Sequence, residues 1–211
     1  MTDVERGLQA LLEALYRIEG PPPVSDFRID RKTLERFSPL GPHRREVLLV
    51  QEHEDETFIA LFIEQDVLQR VTNLSEDGLS RGSDLDALCV AVEGVSHFVY
   101  LTFCGAGLER PVSQIELELQ AEIDKFLLLR FVLGHHTETL VADLYDQFDF
   151  VEALGAEEVD RYRVANRNAR RYARWLDRRW ASGDGGAALA DARALYRKPF
   201  AAKLEHIERA A

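Results

Sequence analysis

Apolar residues recur at every third or fourth position over most of the chain, a period that predicts helices. Val4, Leu8, Leu11, Leu12 and Leu15 trace a first helix to about Ile18. Thr2 and Glu5 have the spacing of a capping box at its start, and Gly20 with Pro21, Pro22 and Pro23 stops it. In the following DFRIDRKTLERF, residues 27–29 read as a short extended piece and the residues after Asp30 as helical turns, closed by Pro39, Gly41 and Pro42.

Between residues 46 and 63 the period changes. EVLLVQE and TFIALFI are rich in β-branched and aromatic residues and flank a polar break at His53, Glu54, Asp55 and Glu56, which predicts an antiparallel hairpin. Apolar residues stand at consecutive positions in both runs, so both faces must be covered, and a hairpin alone would be marginal. A short helix over 65–71 and a linker, NLSEDGLSRG, follow.

The stretch SDLDALCVAVEGVSHFVYLTFC, residues 83–104, predicts a central helix with Ser83 as its cap and Gly105 and Gly107 at its end. Leu85, Leu88, Val92, Val99 and Phe103 form the usual core stripe, but Cys89, Val90, Val95, Tyr100 and Leu101 fill the other sides. Several neighbours must therefore surround it. The next helix begins with Ser113 and Glu116 as a capping box and Val112 and Leu117 as a staple. Ile115, Leu119, Ile123 and Phe126 turn towards a core, and the short connection predicts an antiparallel neighbour. Gly134 interrupts; 137–150 predicts another amphipathic helix through Leu140, Leu144 and Phe148, ended by Gly155. Residues 156–181 read as one long arginine-rich helix, and 187–210 as a returning helix broken near Pro199. The expected fold is α+β, mainly α: a helical bundle with a small antiparallel hairpin in an N-terminal part, 1–81, and a helical part, 82–211, around one shared core.

Composition narrows the class. Of the 211 residues, 46% are hydrophobic and 30% charged, as expected of a soluble globular chain and not of a disordered one. A net charge of -11 makes nucleic acid an unfavourable general partner. The start, MTDVERGLQA, lacks the basic-then-apolar order of a signal peptide, so a cytoplasmic location is expected. Cys89 and Cys104 stand about 22 Å apart on one helix and cannot pair with each other. The run 87–108 is membrane-like in length, but Glu93 and His97 near its centre weigh against insertion, and no membrane association is expected.

Those two residues are also the candidate chemistry. Glu93 and His97 are four apart and share a helical face, so they could act as an acid–base pair or as two ligands of a divalent metal. Glu118 and Glu122 have the same spacing on the next helix and complete a candidate metal set, with His135 and His136 following Gly134. The pattern departs from the two-metal four-helix proteins: it reads Glu-x-x-x-His, and only once. The plainer reading is that Glu93 and His97 satisfy one another inside the core. Cys104 lies about 10 Å along the helix from His97, too far for proton transfer. No phosphate-binding glycine loop, G-x-S-x-G, H-E-x-x-H or C-x-x-C is present.

The second feature is the 156–181 helix, with eight arginines against four carboxylates. Arg163, Arg167, Arg170, Arg174 and Arg178 lie along one side, interleaved with Tyr162, Tyr172, Trp175 and Trp180. This side is a candidate partner-binding surface or a solvated face. His43, His53 and His206 have no assigned role. Three functions are compatible: an interaction or regulatory module acting on a protein partner or by self-association; a metal-dependent or acid–base enzyme built on the Glu/His cluster; and a binder of nucleic acid or phosphate through the arginine helix. The missing catalytic motifs put the interaction module first.

Overall fold

The computed structural model describes residues 3–37, 44–53, 56–74, 82–134, 139–146 and 155–210. It is mainly helical, with one small two-stranded antiparallel sheet, as the periodicity requires. In chain order come α1 (Val4–Tyr16), a 3-10 turn (Val24–Phe27), α2 (Arg31–Phe37), β1 (Glu46–His53), β2 (Glu56–Ile63), α3 (Gln65–Thr72), α4 (Gly82–Thr102), α5 (Gln114–Leu127), α6 (Leu140–Tyr145), α7 (Ala156–Ala181), α8 (Gly185–Tyr196) and α9 (Phe200–Ala210).

α4 is the hub. Ala87, Leu88, Ala91, Val92, Val95, Phe98, Val99 and Tyr100 are all buried, so the helix is enclosed on every side through its middle. By length and composition, 84–107 is apolar enough to cross a membrane; most of it is buried within this protein, against α1, α3, α5 and the hairpin. The helix does not stop at its glycines: Phe103–Gly107 continue it as a wider π turn, and the chain leaves through Glu109 at φ 49°. α5 likewise runs into a π turn at Leu128–Val132, ended by Gly134 at φ 65°.

α4 and α5 are antiparallel. As residue numbers rise from Glu93 through Ser96 and His97 to Tyr100, their partners fall from Lys125 through Asp124 and Glu118 to Glu116. Ser113 caps α5 by accepting the Glu116 N–H, but the return half of the expected box is absent: the Glu116 carboxylate turns to Arg110 and Tyr100. At α1 the cap is Asp3, which accepts the Arg6 N–H, in place of Thr2, which lies outside the described residues. Of the helix expected over 137–150, Leu140–Tyr145 is helical; Phe148 and the pair His135 and His136 lie outside the described residues. The break between α8 and α9 falls at Pro199.

β1 and β2 pair Glu46 with Ile63 and His53 with Glu56. A short extended piece does join them, since Ile29 donates its N–H to the Leu61 carbonyl and Arg28 bridges Leu61 in parallel. The base of the hairpin is anchored, with Leu61, Phe62 and Ile63 buried, while its far half is exposed. Gly94 sets how closely this base meets α4. A methyl group there would lie 3.1 Å from two carbons of Ile63 and 3.4 Å from the Glu46 carboxylate. Only a residue without a side chain lets the strand come so near, and the strand brings Glu46 with it.

Candidate metal centre

Three elements deliver the site. α4 presents Glu93 and His97 one turn apart, α5 presents Glu118, and β1 presents Glu46. One donor atom each from Glu93, His97 and Glu118 can be chosen so that all lie within 4.8 Å of one another. His97 stands between two carboxylates, with Nε2 3.6 Å from Glu118 Oε2 and Nδ1 3.8 Å from Glu46 Oε2. Both separations exceed hydrogen-bond length. The His97 side chain is only 7% exposed, yet its Nε2, like Glu46 Oε2, meets no hydrogen-bond partner among the described residues. Buried polar atoms normally have one. Nitrogen and oxygen donors bind a divalent ion at about 2.0–2.2 Å, so a shared ion would need them drawn together by roughly half an ångström or more.

Of the four expected metal ligands, Glu93, His97 and Glu118 bring donor atoms into one group, and Glu122 stands outside it. Glu122, one turn beyond Glu118, faces Lys125, which donates to it at 2.6 Å and to Glu93 at 3.2 Å. Lys125 thus bridges Glu122 and Glu93 and fixes the orientation of both. Glu93 and His97 are not bonded to one another; each has its own opposing partner on another element.

Electrostatics follow from this burial. At His97, desolvation disfavours the imidazolium, but the facing Glu118 and Glu46 carboxylates outweigh it and raise the pKa well above the usual histidine value. Burial raises the Glu46 pKa, with His97 opposing. Burial also pushes Glu93 upward, but Lys125 and His97 overcome it and the net shift is downward. Lys125 loses hydration and is nonetheless held strongly protonated by Glu122 and Glu93.

The cluster lies at the charged end of a cleft of about 840 Å³. Arg44, Glu158, Arg161 and Tyr162 complete that end, with Arg44 paired to Glu158. The rest is lined mostly by apolar residues of β1, β2, α4, α5 and the loop before α5, with Glu52, Thr57, Thr102, Arg110 and Gln114 among them. Sequence reasoning missed Glu46, Lys125 and the α7 contribution. A glycine inside an otherwise apolar helix was a signal for a close approach at Gly94, and a lysine in the apolar run DKFLLL was a signal for a buried ion pair.

A second polar cluster runs through the opposite side of α5. Asp124, fully buried, accepts from Tyr16, Ser96 and Gln120, and Gln120 also accepts from Lys203 of α9. Lys203 Nζ sits 4.2 Å over the Tyr100 ring, and the Tyr100 hydroxyl links on to Glu116 and Arg110. This enclosed network ties α1, α4, α5 and α9 together. His206 is half-buried, beside Asp191 at 2.9 Å and against Tyr172.

The arginine side of α7 is mixed. Arg170 pairs with Asp146, and Arg163 lies 3.7 Å from Asp160. Arg167, Arg174 and Arg178 are exposed on the outer face. Asn168 bonds back to the Val164 carbonyl of its own helix.

Comparison with protein-family models, with curated proteins and with solved structures finds no match to this chain.

Proposed function

We propose that the chain is a metal-dependent enzyme that holds one divalent ion between His97, Glu118 and Glu93, with Glu46 behind the imidazole at Nδ1, at the charged end of the cleft. The observation that carries this reading is the pair of buried atoms without a hydrogen bond among the described residues, His97 Nε2 and Glu46 Oε2, beside carboxylates that line a cleft. One imidazole with several carboxylates suits zinc, manganese or iron. The ion would polarise a substrate oxygen or lower the pKa of a bound water. Lys125 keeps Glu93 ionised and fixed, and Glu46, facing Nδ1, orients the imidazole so that Nε2 meets the ion beside Glu118.

The test is metal analysis and calorimetric titration of the full chain with manganese and zinc. The expected result is one ion per chain, with affinity reduced at least about a hundredfold in His97→Ala and Glu118→Gln and little changed in Glu122→Gln, as Glu122 serves Lys125. A chain that binds no stoichiometric metal, or an unchanged His97→Ala variant, overturns the reading.

The exposed Arg167, Arg174 and Arg178 support a second reading, that of a module docking an acidic protein partner through α7. Its support is weaker, because Arg163 and Arg170 on the same helix already face carboxylates of this chain.

A further inference from the structure

The cleft is unevenly lined: charged residues gather around His97, and the remaining wall is mostly apolar, with Glu52 at its outer end and Arg110 already paired with Glu116. At the charged end, Glu158 is neutralised by Arg44, and Glu46 and Glu118 face His97. Arg161 is left over. It lines the cleft, its Nε is buried, and it makes no hydrogen bond or ion pair among the described residues. A buried guanidinium nitrogen without an acceptor calls for an anion. Moving away from the charged end, β1 turns Leu48 and then Val50 to the same face as Glu46, with Ile59 opposite Val50 on β2. α4 offers Leu101 one turn beyond His97, and α5 offers Leu117 beside Glu118, with Val112 in the loop before it. Four residues of strand span about 13 Å, long enough for a chain of several methylenes. Val50 is 42% exposed and Leu48, Ile59 and Leu101 are half-buried, so this wall opens to solvent at its Val50 end.

From this juxtaposition we infer that the cleft takes a free, monomeric amphiphile: an anionic head, carboxylate or phosphate, at Arg161 beside the metal cluster, and an aliphatic chain laid over Leu48, Val50, Ile59 and Leu101. The head's approach to a metal rests on the function proposed above, but the binding itself requires only Arg161 and the apolar wall. A head held there places its first carbons next to His97 and Glu118, where the metal-dependent step would act.

The experiment measures binding of octanoate, decanoate and dodecanoate, of dodecyl phosphate and of the matching alkanols to the full chain, with manganese and with EDTA. Affinity is expected to rise about three- to fourfold per added CH₂. Loss of the charged head, or Arg161→Gln, is expected to weaken binding about tenfold or more. Val50→Glu, at an exposed position that leaves folding intact by circular dichroism, is expected to abolish the dependence on chain length. Comparing dodecanoate with dodecyl phosphate identifies the head chemistry. Binding that persists in EDTA upholds the amphiphile site whatever the metal titration shows. Affinity independent of chain length, undiminished binding in Arg161→Gln, or binding only to anionic lipid vesicles and not to the monomeric compounds overturns it.

Discussion

Asp124 and Lys203 are ionisable groups placed where neither charge is welcome. Burial pushes the Asp124 carboxyl from its ordinary 3.8 up to about 6, against the donors Ser96, Tyr16 and Gln120 that hold it down. Burial pulls the Lys203 ammonium from 10.5 down to about 7, against the attraction of Glu116 and Asp124. The folded state therefore retains the Asp124 proton longer than the unfolded chain does, and Asp124's contribution to stability is complete below pH 3.8 and lost as pH rises to 6. Lys203 acts in the other direction: its contribution is complete above pH 10.5 and lost as pH falls through 7. Melting temperature followed across pH should show Asp124→Asn removing the loss between 4 and 6, a change of roughly 3 kcal/mol, and Lys203→Met removing the alkaline gain. Parallel wild-type and variant curves would show that these groups titrate normally. None of this was legible from spacing. Tyr16 and Asp124 are 108 positions apart, and a carboxylate four residues after a glutamine looks like surface in one dimension.

At the scale of elements, the hairpin base and α4 meet at Gly94. Replacing it with alanine improves helix propensity by about 1 kcal/mol but crowds Ile63, which is buried and cannot swing away; overpacking of this kind costs about 1–3 kcal/mol. The expected outcome is a net loss of about 1 kcal/mol in urea unfolding, together with weaker metal binding as Glu46 is displaced. A gain in stability with unchanged binding would mean that strand and helix are not so close. The elements themselves were mostly readable. α4, α5, α7 and the hairpin follow from period, capping and the Gly and Pro stops, as does the break at Pro199. Half of the site was readable as well, because Glu93 with His97, and the face carrying Glu118, depend on helical spacing alone. Glu46 was not, since its place beside His97 depends on how a strand crosses a helix. Nor was the contact of Glu122 with Lys125, three residues on along the same helix, which sets it apart from the Glu93, His97 and Glu118 group.

Across the whole molecule, charge is unevenly spread. The chain carries -11, yet the outer face of α7 displays Arg167, Arg174 and Arg178. Reversing all three to glutamate should leave the fold intact, each change at an exposed position altering stability by no more than about 0.5 kcal/mol. The metal and amphiphile titrations should also be unchanged, because the cleft lies against the other end and side of α7, at Glu158, Arg161 and Tyr162. Altered cleft binding in the reversed protein would show that the two surfaces are coupled. A core shared by residues from Leu8 to Ile207 joins the hairpin, the central helices and the C-terminal pair.

The outer half of the hairpin stands in solvent, and a two-stranded ribbon has little stability of its own. Glu46 and one wall of the cleft belong to that ribbon; His97 and Glu118 belong to helices buried in the centre. Opening of the exposed outer half would therefore loosen the Val50 and Ile59 wall while Glu46, at the anchored base, keeps its place. An occupant packed against Val50 and Ile59 should therefore slow amide exchange along β1 before it alters exchange in α4 or α5.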